Sequence, residues 1–167
     1  LSISKATATD IPVIRDLAMQ VWPQTYTPIL GEEQVAYMLG LFYAPDALRK
    51  QIEAPGHTFL ICCDDGLPVA FAGYEAVDDN VVKLHKIYIA QSQQGKGIGK
   101  FLLAAIVDDI KKKGAIALRL NVNRYNYNAK AFYEKSGFVH VNDEDIDIGN
   151  GYYMNDHVLQ LPLNPTP

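Results

Sequence analysis

The sequence predicts a mixed α/β (α+β) fold: a mostly antiparallel central sheet of about seven strands, flanked by about four helices. Three observations lead there. Seven runs carry strand-like apolar patterning, those between residues 57 and 89 follow one another across turn-sized gaps, and helical spacing occupies separate blocks. A chain of 167 residues has the size of one ordinary domain, residues 1–167, and can bury roughly 70% of its unfolded surface.

Composition narrows the class. Hydrophobic residues at 49% and charged residues at 20% sit near globular averages, which excludes disorder, collagen-like structure and coiled coil. The longest stretch without a charge, Leu17 to Gly31, has 15 residues and two prolines, too short to span about 30 Å of hydrocarbon, so no membrane partner is expected. Residues Leu1 to Asp10 lack a basic cluster followed by an apolar run, so a cytoplasmic location is expected. Cys62 and Cys63 are adjacent and have no third cysteine to pair with, which excludes a disulfide framework. With 15 Lys and Arg against 19 Asp and Glu, the net charge of -4 gives no general attraction to nucleic acid and suits a cationic partner better.

Ser2 to Ala6 alternates as a short strand, and Thr9 and Asp10 offer an N-cap for the apolar spacing Ile11, Ile14, Leu17, Ala18, Val21 and Trp22. Pro23 and Pro28 are expected to break this helix. A second helical region, Glu32 to Tyr43 and Asp46 to Glu53, is divided by Pro45. Thr58 to Cys63 and Pro68 to Val77 form a hairpin around Asp64, Asp65 and Gly66, and Val81 to Ile89 continues the meander. Within that third run Val82 and Leu84 set one apolar phase, Ile87 and Ile89 the other. Either a bulge near His85 and Lys86 inserts a residue, or the strand is apolar on both faces.

Gly97 to Lys113 carries Ile98, Leu102, Leu103, Ile106, Val107 and Ile110 on one face, with lysines and Gly114 at its end. Ala115 to Val122 is a further strand, Asn126 or Asn128 caps a short helix through Lys135, and Gly137 stops it. Phe138 to Val141 and Tyr152 to Leu163 complete the sheet.

Chemistry concentrates between the third strand run and the long helix, in Gln94-Gly95-Lys96-Gly97-Ile98-Gly99-Lys100. Glycines let a backbone approach a ligand, and a helix start points free N–H groups and partial positive charge outward, so this loop suits a phosphate or diphosphate. A Walker A loop would need glycine at Gln94 and Ser or Thr at Phe101, and Gly95, Gly97 and Gly99 give G-x-G-x-G rather than the dinucleotide fingerprint. The pattern Q/R-x-x-G-x-G/A is met by Gln94, Gly97 and Gly99. A second pattern, N-x-x-A-x-x-x-Y-x-x-x-G-F, is met by Asn126, Ala129, Tyr133, Gly137 and Phe138.

On these two motifs the sequence resembles the GNAT family of acetyl-CoA-dependent N-acetyltransferases, from about Ser2 to Leu163. Segments such as L-H-K-I-Y-I and A-F-Y-E-K-S-G-F are similar to bacterial spermine/spermidine acetyltransferases. The resemblance implies a splayed, bulged fourth strand, which favours the bulge reading. It implies that acetyl-CoA binds to amides of Ile87, Tyr88 and Ile89 and to the loop Gln94, Gly95, Lys96, Gly97, Ile98, Gly99 and Lys100. Asn126 commonly contacts the cofactor in the family, and would also serve as a helix cap.

An ammonium group with a pKa of about 10.4 costs roughly 4.6 kcal/mol to deprotonate at pH 7, so an amine acceptor needs somewhere to send its proton. His85 stands where relatives often place a glutamate and is the candidate base, directly or through water, with Glu75 in reserve. Tyr133 matches the family's general acid, able to protonate the departing sulfur. Cys62 and Cys63 match no family nucleophile and are expected in the core. Loops at Trp22 to Glu33 and Asp143 to Tyr153 would border the acceptor, with Trp22, Tyr26, Tyr152 and Tyr153 as lining candidates.

The run Asp143, Glu144, Asp145 and Asp147 fails the calcium-loop pattern at Ile148 and Met154, and the four histidines lack zinc spacing, so no metal is expected. The implied activity is acetyl transfer to a small-molecule primary amine, with a polyamine foremost, and family habit allows a homodimer. Another small amine or a peptide amino group, a non-catalytic acyl-CoA sensor, and a phosphate binder sharing only the loop are the alternatives.

Overall fold

The computed structural model describes residues 1–164. Its strands are β1 (Ser2–Lys5), β2 (His57–Asp64), β3 (Leu67–Asp78), β4 (Val81–Ile89), β5 (Ala117–Asn123), β6 (Val139–Gly149) and β7 (Tyr152–Pro162). They make one seven-stranded sheet in the order β1-β2-β3-β4-β5-β7-β6. β4 and β5 run parallel, while β1–β2, β2–β3, β5–β7 and β6–β7 run antiparallel. The helices are α1 (Ile11–Leu30), α2 (Glu32–Tyr43), α3 (Pro45–Glu53), α4 (Ile98–Lys112) and α5 (Tyr127–Lys135). They number five because the second helical region is divided at Pro45 as expected: Ala44 is extended (φ -58, ψ 146) ahead of the proline and parts α2 from α3.

One expectation fails in α1. The helix does not break at Pro23 but runs through Pro23 and Pro28 to Leu30. Each proline denies an N–H to the carbonyl four residues earlier, on Met19 and Gln24, and both prolines and both of those residues are exposed, where water can serve the carbonyls. Burial of Ile14, Leu17, Ala18, Val21 and Trp22 holds the helix against that penalty.

The chain divides into two compact units, residues 1–75 with 86–105, and residues 76–85 with 106 onward. In the first, Asp65 and Gly66 both adopt positive φ (50° and 80°), the conformation of a two-residue hairpin turn between β2 and β3. Cys62 pairs with Ala70 and Cys63 with Pro68, leaving Val69 as an extra residue in β3. The freed Val69 carbonyl accepts the amide of Ala90 at 2.8 Å, which anchors the chain where it leaves β4. Cys62 is buried in β2, and both thiols are free.

In the second unit β4 pairs with β5 over Val81–Leu84 and Ala117–Leu120. β5 buries Leu118, Leu120 and Val122, and β7 buries Val158 and Leu159. β6 extends well past the expected Val141, so the acidic residues 143–147 lie in a strand and not in a loop beside the acceptor. As the edge strand of the sheet it is mostly exposed, with Glu144, Ile146 and Ile148 half-buried in alternation with exposed Asp143, Asp145 and Asp147. The loop proper is Asn150 and Gly151, both at positive φ, as is Gly149 at the end of β6.

Candidate functional site

The glycine loop belongs to the first unit and hangs from the anchored end of β4. Gln94 Nε2 donates to the Ile89 carbonyl at 3.3 Å, tying the loop back to the strand. Gly95 (φ 82°) and Gly97 (φ 79°) hold conformations that L side chains rarely adopt, and a Cβ on either would meet nothing within 4 Å. The glycines therefore answer a backbone need and leave open space before the helix. The first helical bond of α4 is Phe101 N–H to the Gly97 carbonyl at 3.0 Å, so the amides of Ile98, Gly99 and Lys100 precede the intrahelical ladder. Ile98 is buried and pins the helix start, while Gly95, Lys96, Gly97 and Lys100 are exposed. Amides outside the helical ladder at a helix N-terminus, two open glycines and two lysines fit a diphosphate.

Tyr88 in β4 packs on Trp22 (ring centroids 5.9 Å), Tyr26 (6.5 Å) and Phe71 (5.7 Å), and the Tyr26 and Tyr88 hydroxyls lie 3.3 Å apart. Trp22 also packs against Tyr26 with ring centroids 4.6 Å apart and planes tilted by 49°, and donates through Nε1 to the Tyr43 hydroxyl at 3.3 Å. Of the acceptor-lining candidates, Trp22 is thus a buried packing residue, and Tyr26 is half-buried against Tyr88. Tyr152 and Tyr153 begin β7 in the second unit, Tyr153 exposed.

Lys86, named from sequence only as part of a possible bulge, has a defined packing role. Its Nζ lies 5.2 Å from the centroid of the Tyr43 ring, and burial pushes its pKa down to about 8. Lys86 and Tyr88 therefore pack on the aromatic cluster, burying the even phase of β4 through an aliphatic stem and a ring. The signal was a lone cation inside the run Leu84 to Ile89, but only the fold supplies Tyr43 beneath it. Because the folded pKa lies below the unfolded value of 10.5, the folded state binds fewer protons between pH 8 and 10.5. The burial penalty is full below pH 8 and is relieved as pH rises through that window. Lys86→Met is expected to gain about 1–2 kcal/mol at pH 7, the relieved desolvation exceeding the lost cation–π contact. Urea unfolding at pH 7 and pH 10 checks this, since the gain should shrink at the higher pH.

In the second unit Asn126 caps α5, its Oδ1 accepting the Ala129 amide at 3.4 Å. Tyr133 is buried between Phe132 (5.4 Å) and Phe138 (5.5 Å), and its carbonyl accepts the amides of Ser136 and Phe138, both at 3.0 Å. Gly137 ends the helix at φ 102°, where a Cβ would come within 3.2 Å of the Leu161 side chain. The second motif is thus a cap, a helix and a stop that fix the tyrosine's position. His85 is exposed and follows the last β4–β5 pair, Leu84 with Leu120. Glu75 pairs with His57 across β2–β3 in the first unit.

The acids of β6 are engaged within their own unit. Asp143 accepts from His140 and His157, Asp145 pairs with Arg124 at 2.9 Å, and Asp147 accepts the Gly149 amide at 2.8 Å. Among the described residues no helix is long and apolar enough to cross a membrane.

Comparison with known proteins gives these features a common origin. A model of the acetyltransferase (GNAT) family matches residues 15–138. A spermidine N(1)-acetyltransferase of Thermoplasma acidophilum is 29% identical over 142 residues, covering 83% of this chain and 88% of that protein. An uncharacterized N-acetyltransferase of Mycobacterium tuberculosis is 25% identical over 155 residues, 93% of this chain and 99% of the relative. Among solved structures, the PaiA N-acetyltransferase of Thermoplasma acidophilum in complex with coenzyme A superposes with a TM-score of 0.84 at 26% identity, over 97% of this chain and 98% of that one. The ribosomal-protein-S18-alanine N-acetyltransferase of Escherichia coli shares the fold, with a TM-score of 0.76 at 20% identity over 99% and 96% of the two chains. With the family match spanning most of its length and its two motifs intact, the chain belongs to the acetyltransferase (GNAT) family and is an N-acetyltransferase that uses acetyl-CoA.

Proposed function

We propose that the chain acetylates a primary amino group of a small cationic amine, foremost a polyamine such as spermidine or spermine, by direct attack of the amine. The observation that carries the acceptor class is the 29% identity, over most of both chains, to a spermidine N(1)-acetyltransferase. The net charge of -4 agrees with it. The family match includes residues of both compact units, which supports one acetyltransferase domain.

Acetyl-CoA supplies an acetyl group activated as a thioester. The amides and lysines of Gln94, Gly95, Lys96, Gly97, Ile98, Gly99 and Lys100 would hold its diphosphate, and amides of Ile87, Tyr88 and Ile89 its pantetheine arm, with the β4–β5 ladder ending at Leu84 consistent with a splayed strand. Asn126 would add a contact from its cap position. His85, through Nδ1 or Nε2 and directly or through one water, takes a proton from the amine. Tyr133 donates its hydroxyl proton to the departing sulfur.

A panel of amines assayed for free thiol released from acetyl-CoA tests the reading. Selective release with spermidine and spermine is the expected result. Release confined to a peptide amino group or a monoamine would overturn the polyamine assignment, and release with no amine beside intact coenzyme A binding would make the protein a sensor.

A further inference from the structure

A cluster outside the acetyl-transfer machinery forms on the edge hairpin of the second unit. Asp143 and His157 sit directly opposite each other in the β6–β7 ladder, so their side chains share a face. His140 lies three residues before Asp143, and strict alternation would send it to the other face. The register instead pairs His140 with Leu159 and Asn142 with Val158, leaving Val141 as an extra residue. That bulge returns His140 to the face of Asp143.

The result is a tight group. Asp143 Oδ1 lies 2.7 Å from His140 Nε2 and 2.6 Å from His157 Nδ1, and the imidazoles meet edge to face at 4.6 Å. The three ligand atoms all lie within 4.8 Å of one another. His140 Nε2 also lies 3.0 Å from the Asn142 carbonyl oxygen.

We propose that His140 Nε2, Asp143 Oδ1 and His157 Nδ1 form a binding site for one divalent transition ion of the zinc class. Two imidazole nitrogens and one carboxylate oxygen suit zinc, nickel, copper or cobalt, whereas magnesium and calcium favour all-oxygen shells. Ligand bonds of about 2.0–2.2 Å require the three atoms to open slightly around the ion. The surroundings permit it, because the His140 and Asp143 side chains are 42% and 51% exposed while His157, at 19%, is the fixed member. Water would complete the shell. The nearest carboxylate along the strand face, Asp145, is neutralised by Arg124, so Asp143 supplies the anionic charge. An ion here would staple β6 to β7 at the sheet's edge, a task independent of acetyl transfer and of which amine is acetylated. Sequence spacing hides the site, because its members become neighbours only through strand pairing and one bulge.

Untagged full-length protein, stripped with chelator and dialysed, should bind one zinc ion per chain when titrated with zinc chloride against a chromophoric competitor. It should unfold at a higher temperature with zinc present. Cobalt should give a visible band of nitrogen and oxygen ligation. His140→Ala and His157→Ala should each weaken zinc binding at least tenfold, as loss of a direct ligand requires, and abolish the thermal shift. Far-UV circular dichroism confirms that the variants fold, and His140, being exposed, can be replaced without disturbing the core. Absence of zinc binding by the wild-type chain would overturn the proposal. So would binding that both substitutions leave intact, which would move the ion elsewhere, to Cys62 and Cys63 for instance.

Discussion

Tyr133→Phe is expected to lower kcat by roughly 10²- to 10⁴-fold, the range typical of a lost general acid, with little change in affinity for acetyl-CoA. The substitution removes one oxygen and keeps the ring that packs between Phe132 and Phe138. The cap at Asn126 and the stop at Gly137 are untouched, so the helix that presents residue 133 survives. Steady-state kinetics combined with a thermal melt separate the outcomes. A fall in kcat with an unchanged melt assigns the proton to the hydroxyl, and an unchanged kcat removes Tyr133 from the reaction and leaves it a core aromatic.

His85→Ala should cost about 10²-fold in kcat/KM near neutral pH and change the shape of the pH profile. A histidine base works only when neutral, so the wild-type rate should fall as acid protonates the ring, and the variant should lose that acidic limb. Loss of packing does not mimic this, since an exposed residue contributes little to stability, within about 0.5 kcal/mol in most cases. His85→Gln separates the roles further, because it keeps polarity at the site but cannot relay the proton. Full activity of both variants across pH would move the base to Glu75, to another group or to bulk water.

Features set by one residue's own backbone were legible before any fold was known. Gly95 and Gly97 declare a loop with positive φ, Asp65 and Gly66 a hairpin, Asn126 a cap and Gly137 a stop, each a local demand that a single residue type answers. Features set by distant partners were not legible. Lys86 became informative only when the fold put the Tyr43 ring beneath it, and Asp143 became a junction only when β7 brought His157 opposite. α1 passed through two prolines because burial of one face outweighed a local penalty that sequence rules weigh alone. β6 runs past the expected Val141; the acids on its open face resemble a solvated loop, although Ile146 and Ile148 alternate with Asp145 and Asp147 as a strand requires.

Titration calorimetry of coenzyme A against the wild-type chain and Gly97→Val tests the central claim most directly. A side chain at φ 79° strains the backbone by about 1–3 kcal/mol and fills the space in front of α4. One molecule should bind per wild-type chain, and the variant, with its fold verified by circular dichroism, should bind at least tenfold more weakly because its amides no longer converge on the diphosphate. Failure of the wild type to bind, or equal affinity in the folded variant, would contradict the assignment of this loop as the carrier's holding site.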